Sequence, residues 1–231
     1  MDEDFYPFEA LDFSRRRFTK TEIFLLNLKA RLENPVDEFL KFFSHERVEK
    51  ILRYKFNADR NRTVFAELLA KKLIAERTGK NFTEIKIFRD ENGRPYCGES
   101  EIFFSLSHSG AWAACSIGDS PNGVDVEIKS RNIDISVAKR FFLANEFEIL
   151  KNLSGNEREK KFLEYWTLKE SCLKCLNLHS WSSVDCEKLL RGEDGVYGKN
   201  FYFDDAVTGL CCEKGKMPEK IQISDFENFS C

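Results

Sequence analysis

Gly123-Val-Asp-Val-Glu-Ile-Lys129 alternates between apolar and acidic residues. Side chains of a strand point to opposite faces in turn, so Val124, Val126 and Ile128 share one face and Asp125 and Glu127 the other. A second stretch, Trp166-Thr-Leu-Lys-Glu-Ser-Cys-Leu-Lys174, has a helical pattern that stacks Trp166, Glu170 and Lys174 at i, i+4 and i+8. If that helix packs beside that strand, Asp125, Glu127, Glu170 and Lys174 converge. Three hard oxygen donors with room left for phosphate oxygens describe a magnesium site that serves a phosphorylated substrate.

Outward from these two stretches, the spacing predicts strands over 22–29, 84–88, 103–106 and 112–117. It predicts helices over 36–43, 45–56, 59–78, 137–142, 145–150 and 157–176. The region after Trp181 reads as strand and loop, with strands at 196–203, 207–212 and 220–223. Pro35 opens the first helix, Ser44 is a fitting N-cap for the second, and Gly79 supplies the stop after the third. Each half therefore runs strand, short helices, long helix, strands. The expected fold is α+β: two pseudo-symmetric halves, each with a small antiparallel sheet and a long helix, packed around a central cleft. The expected division is an arm over 1–20, a first half over 21–114 and a second half over 115–231.

At 231 residues, 42% hydrophobic and 32% charged, the chain has the composition of a globular protein with a sizeable core, and its 22 phenylalanines suggest that rings fill that core. A net charge of −3 argues against nucleic acid as a partner. No apolar run is long enough to span a membrane, and the acidic start Met1-Asp-Glu-Asp-Phe lacks a signal-peptide layout, so the cytoplasm is expected. Among the eight cysteines, the Cys172-x-x-Cys175 pair and Cys211-Cys212 invite a zinc reading. They sit in helical and strand patterns with no histidine at ligand spacing, so free thiols are expected instead. There is no G-x-S-x-G elbow, P-loop or dinucleotide fingerprint.

The first half carries the cations. Arg47, Lys50 and Arg53 step by three along one helix side. Arg60 and Arg62 open the long helix, where the macrodipole already favours anions, so either a bound phosphate or pairing with Asp59, Glu67 or solvent accounts for them. Arg94 is held on the turn Asn92-Gly-Arg-Pro, and Ser107-His108 follows an apolar strand.

Taken in order, Asn92-Gly-Arg-Pro, Phe104-Ser-Leu-Ser-His-Ser-Gly110, Gly123-Val-Asp-Val-Glu127, Ala138-Lys-Arg-Phe-Phe142 and Trp166-x-x-Lys-Glu-x-x-x-Lys174 resemble the 4′-phosphopantetheinyl transferases of the larger, monomeric surfactin-synthetase-activating type. The resemblance covers about residues 40 to 180. It implies a magnesium-dependent transferase that moves 4′-phosphopantetheine from coenzyme A to a serine of an apo acyl or peptidyl carrier protein and releases 3′,5′-ADP. It further implies Asp125, Glu127 and Glu170 as metal ligands and Lys174 beside the scissile phosphate. Arg47, Lys50, Arg62, Arg94, Ser107 and His108 would contact coenzyme A phosphates. Glu170 is the expected base and Glu127 the alternative, with Trp166 packing beneath the site. A water-using nucleotide pyrophosphatase and a non-catalytic binding module are the rival classes.

Overall fold

The computed structural model describes residues 18–99, 101–129 and 134–229. The strands are β1 (Glu22–Asn27), β2 (Ile87–Arg89), β3 (Pro95–Cys97), β4 (Phe103–Ser109), β5 (Trp112–Gly118), β6 (Asn122–Ile128), β7 (Val196–Phe203), β8 (Ala206–Glu213) and β9 (Gln222–Asp225). The helices are α1 (Asp37–Leu40), α2 (His45–Leu52), α3 (Asn57–Thr78), α4 (Ile135–Phe141), α5 (Ala144–Asn152), α6 (Gly155–Leu176) and α7 (Cys186–Arg191). Among the described residues no helix is long and apolar enough to cross a membrane.

The first sheet has the order β4-β5-β1-β9, the second β6-β8-β7, and β2 and β3 form a separate hairpin. Alternation along the strands builds four layers. On β1, Phe24 and Leu26 face a core shared with Phe65, Leu68 and Leu69 of α3, while Ile23 and Leu25 face the second sheet. On β6, Val124 and Val126 meet Ile23, Leu25 and Trp112 between the sheets, which leaves Asp125 for the α6 side. The order is therefore α3, first sheet, second sheet, α6. The phenylalanine-rich composition is spent mainly in the first core, where Phe65 meets Phe39 edge-on at 4.8 Å and Phe226 at 4.9 Å.

The α+β architecture is as expected, and among the described residues the one exception to antiparallel pairing is β9, which runs parallel to β1. The expected division at 114/115 falls inside β5, and β9 returns from the far end of the chain to join the first sheet. That pairing is long-range and leaves no local signal. Ser44 caps α2 by accepting the Arg47 N–H at 3.3 Å, and Gly79 closes α3 with a left-handed φ of 69°. The strand expected over 84–88 is instead a 3₁₀ turn (Phe82–Glu84) followed by β2. Neither β3 nor α7 was expected. The arm over 1–20 lies almost wholly outside the described residues.

Candidate functional site

α6 can lie unusually close to its sheet because glycines face it. A Cβ on Gly123 would stand 2.0 Å from the Ser171 carbonyl oxygen and 2.6 Å from the Cys175 nitrogen, and one on Gly209 would stand 2.5 Å from the Thr167 carbonyl. Backbone meets backbone there, and only glycine permits it. The closeness brings Lys174 Nζ onto the Val124 carbonyl oxygen at 3.0 Å and onto Asp125 Oδ1 at 2.7 Å. Glu170 sits one helical turn before Lys174. Trp166 packs as expected, stacked on Phe162 with ring centroids 5.8 Å apart and against Trp181 at 4.4 Å.

The electrostatics of this corner are dominated by crowded negative charge. Burial and the neighbouring Asp125 push the Glu170 carboxyl above its usual range, and Lys174 opposes them. Burial and Asp125 likewise raise Glu127, against the pull of the Ser109 hydrogen bond and Lys174. Asp125 is buried, and its Oδ2 has no hydrogen-bond partner. A buried carboxylate oxygen without a partner is costly, about 1–3 kcal/mol or more. Among the described residues no three of the His, Cys, Asp and Glu side chains form a ready-made metal cage. The orphaned Oδ2 and the two raised carboxyls nonetheless fit a site that is short of positive charge, with hard oxygen donors suited to magnesium.

Two adjoining cavities lead away from this corner. One, of about 380 Å³, is lined by Arg89, Arg94, Leu106, Glu170, Lys174 and His179. The other, of about 420 Å³, is lined by Arg47, Tyr54, Glu67, Arg89, His108 and Lys174. Arg89 and Lys174 belong to both, so the two form one basic groove beside the acids. The buried Glu67 carboxylate accepts hydrogen bonds from both Arg47 and Arg89 and so holds two guanidinium groups at the groove wall. His108 keeps a solvent-exposed edge, yet surrounding protein and the charges of Arg62 and Lys174 lower its pKa.

The expected cation set divides. Arg47, Arg94 and His108 line the groove. Lys50 pairs with Glu46 at 2.7 Å on an exposed face, outside both cavities. Arg62 donates to Asp59 at 2.6 Å and to the Gly110 carbonyl at 2.8 Å, pinning α3 to the β4–β5 turn. Arg60 takes the local alternative, donating to the carbonyls of Leu52 and Tyr54 at the end of α2. The Ser107 hydroxyl donates to Asp125 at 2.8 Å. Arg89 was not singled out from sequence, since β2 has only three residues, too few for its alternation to be read. Glu67 was named only as a possible partner of Arg60 or Arg62, whereas it holds Arg47 and Arg89.

Lys169, the unassigned lysine of the Trp166 motif, is fully buried. It pairs with Glu146 at 2.8 Å and donates to the Val184 carbonyl, locking α5 and the loop before α7 onto the back of α6. Cys172 and Cys175 of α6 lie against Cys211 of β8 as buried thiols.

Residues 33–117 match the family model for the N-terminal domain of 4′-phosphopantetheinyl transferases, and residues 121–224 match that of the 4′-phosphopantetheinyl transferase superfamily. The junction falls in the β5–β6 turn. The chain is 32% identical over 210 residues to the 4′-phosphopantetheinyl transferase ffp of Bacillus subtilis, covering 84% of this chain and 93% of the relative. To the transferase Sfp of Bacillus subtilis strain 168 it is 27% identical over 206 residues, 83% of this chain and 91% of that one. To the transferase gsp of Aneurinibacillus migulanus it is 27% identical over 214 residues, 91% and 84% respectively.

Proposed function

Since the chain belongs to the 4′-phosphopantetheinyl transferases and is a transferase, we propose that it moves the 4′-phosphopantetheine group of coenzyme A onto a serine hydroxyl of an apo acyl or peptidyl carrier protein, releasing 3′,5′-ADP. The observation that carries this reading is the meeting of Lys174 with Asp125 beside Glu170, at the mouth of a groove walled by Arg47, Arg89 and Arg94. A phosphate-rich nucleotide finds cations along the groove and acids at its end.

In this reading the groove arginines hold coenzyme A phosphates by charge-assisted hydrogen bonds, and His108 contributes an imidazole at the same wall. Lys50 and Arg62 would have to leave Glu46 and Asp59 to take part, so they rank behind Arg89. Asp125, Glu127 and Glu170 would hold Mg²⁺, which supplies neutralisation of the pyrophosphate charge. Lys174 steadies the phosphate under attack. As the carrier serine oxygen bonds to phosphorus and the pyrophosphate bridge breaks, the serine proton passes to Glu170, whose raised pKa brings it nearer the neutral range where a base works well. Glu127, raised for similar reasons, is the alternative base. Holding both substrates in line supplies up to ~7–11 kcal/mol of barrier reduction. The reading carries with it a monomer acting in the cytoplasm.

The test is to incubate the protein with coenzyme A, Mg²⁺ and an apo carrier and to weigh the carrier. A mass gain equal to the phosphopantetheine arm is expected. Glu170→Gln should fold and bind coenzyme A yet lose about 10²–10⁴-fold in rate. Near-normal transfer by that variant would remove Glu170 from the chemistry, and an unchanged carrier with the unsubstituted protein would remove the whole reading.

A further inference from the structure

Ser105, Ser107 and Ser109 share one face of β4, the edge of the first sheet, and stand opposite β6, the edge of the second. Each hydroxyl accepts a backbone N–H from β6: Val124 to Ser105 at 3.2 Å, Val126 to Ser107 at 3.2 Å, and Ile128 to Ser109 at 3.3 Å. In a continuous sheet, strand carbonyls would occupy those places. Side-chain hydroxyls stand in for them here, so the two sheet edges are joined by a serine seam.

A hydroxyl has one proton to give while it accepts. Ser107 gives its proton to Asp125 Oδ1 at 2.8 Å, and Ser109 gives its proton to Glu127 Oε2 at 2.7 Å. No carboxylate accepts from Ser105 among the described residues. The hydroxyl that anchors one β6 amide thus also fixes the carboxylate one residue before it. Ser107 and Ser109 each do both jobs, and Ser105 does only the first.

We infer that Ser107 and Ser109 are positioning residues for the acid pair. Each hydroxyl sets the orientation of one carboxylate and ties it to β4, the strand that carries His108 into the groove. The acids of the second half are thereby registered against the nucleotide wall of the first. This rests on the cation-site reading above. It also gives Ser107 a different task from the phosphate contact implied by resemblance: with its proton committed to Asp125, it has no donor left for an anion.

Ser105 makes the experiment internally controlled. Ser105→Ala, Ser107→Ala and Ser109→Ala each delete one seam bond, so all three should melt at lower temperature, Ser107→Ala and Ser109→Ala by the larger amount because each also loses its bond to a carboxylate. In a Mn²⁺ titration followed by electron paramagnetic resonance of the free ion, only Ser107→Ala and Ser109→Ala should weaken binding, by about 10–100-fold, the usual cost of losing a group that orients a ligand. Ser109→Thr should restore it. Should an alanine variant fail to fold, Ser109→Cys carries the same test, since a thiol of similar shape is a weak donor. Equal weakening in all three alanine variants, or none in Ser107→Ala and Ser109→Ala, overturns the inference alone. An unsubstituted protein that takes up no Mn²⁺ overturns the cation-site reading and this inference with it.

Discussion

Both halves lay a helix of 22 residues on a small sheet, yet the two helices stand at different heights. α3 meets its sheet through bulky side chains, with Phe65, Leu68 and Leu69 against Phe24, Phe104 and Ile117. α6 meets its sheet through the glycine gaps at 123 and 209, where backbone approaches backbone. A thick side-chain layer leaves the first helix to carry a wall, with Glu67 holding Arg47 and Arg89 in place. A thin layer lets the second helix deliver an ammonium directly onto a strand carbonyl and its neighbouring carboxylate. In the proposed reading the same architecture serves binding in one half and convergence of reacting groups in the other, and the size of the interface residues decides which.

The strongest way to break this contrast is to exchange the two packing modes. Gly123→Ala should cost at least about 3 kcal/mol, the upper end for overpacking, because the added carbon meets main chain that cannot rotate away. Leu68→Ala in the first half should cost about 2–5 kcal/mol for the opposite reason, a cavity. Urea unfolding measures both, and a tolerated Gly123→Ala would show that α6 does not need its low seat. A finer division comes from kinetics. Arg89→Ala should raise the KM for coenzyme A about tenfold with kcat little changed, as for a contact held equally in ground and transition states. A fall in kcat with an unaltered KM would erase the distinction between the halves.

The smallest effect concerns pH. Glu127 holds its proton more tightly folded than unfolded, because burial and Asp125 oppose its charge. Native stability from this group therefore falls as pH rises from the ordinary carboxylate pKa to the raised one, and stays low above it. Glu127→Gln removes that loss. Its melting temperature should exceed that of the unsubstituted protein at neutral pH and match it under acidic conditions, as calorimetry across pH would record.

The readable parts of the molecule were those whose signal is local. Alternation at 123–129 put Asp125 on one strand face and helical spacing at 157–176 put Glu170 and Lys174 on one helix side, leaving only their meeting to be supplied by packing. Ser44 and Gly79 marked helix ends by their own chemistry. The Asp185 cap and the Gly192 stop flank α7 in the same way, but its six residues are too few for a period to emerge. Arg47, Lys50 and Arg53 share a helix side by spacing, yet spacing does not say how much of that side meets the groove: Arg47 lines it, while Lys50 pairs with Glu46 outside it. Arg62 was readable only as a choice among an anion, Asp59, Glu67 and solvent, and the structure has Asp59. Glu67, Arg89 and the serine seam depend on contacts between distant elements, which no window of sequence contains.

The return of β9 to the first sheet has a consequence for biogenesis. Until Gln222–Asp225 has left the ribosome, β1 has a bare edge on the side away from β5, and Phe65 lacks the ring of Phe226 against it. The usual habit of completing the amino-terminal portion first is therefore unavailable to this polypeptide. A nascent chain stalled near Gly118 would present an unpaired hydrogen-bonding rim to its neighbours, the condition under which strands join the wrong partner. Chaperone protection should be needed longest for the part that is made earliest.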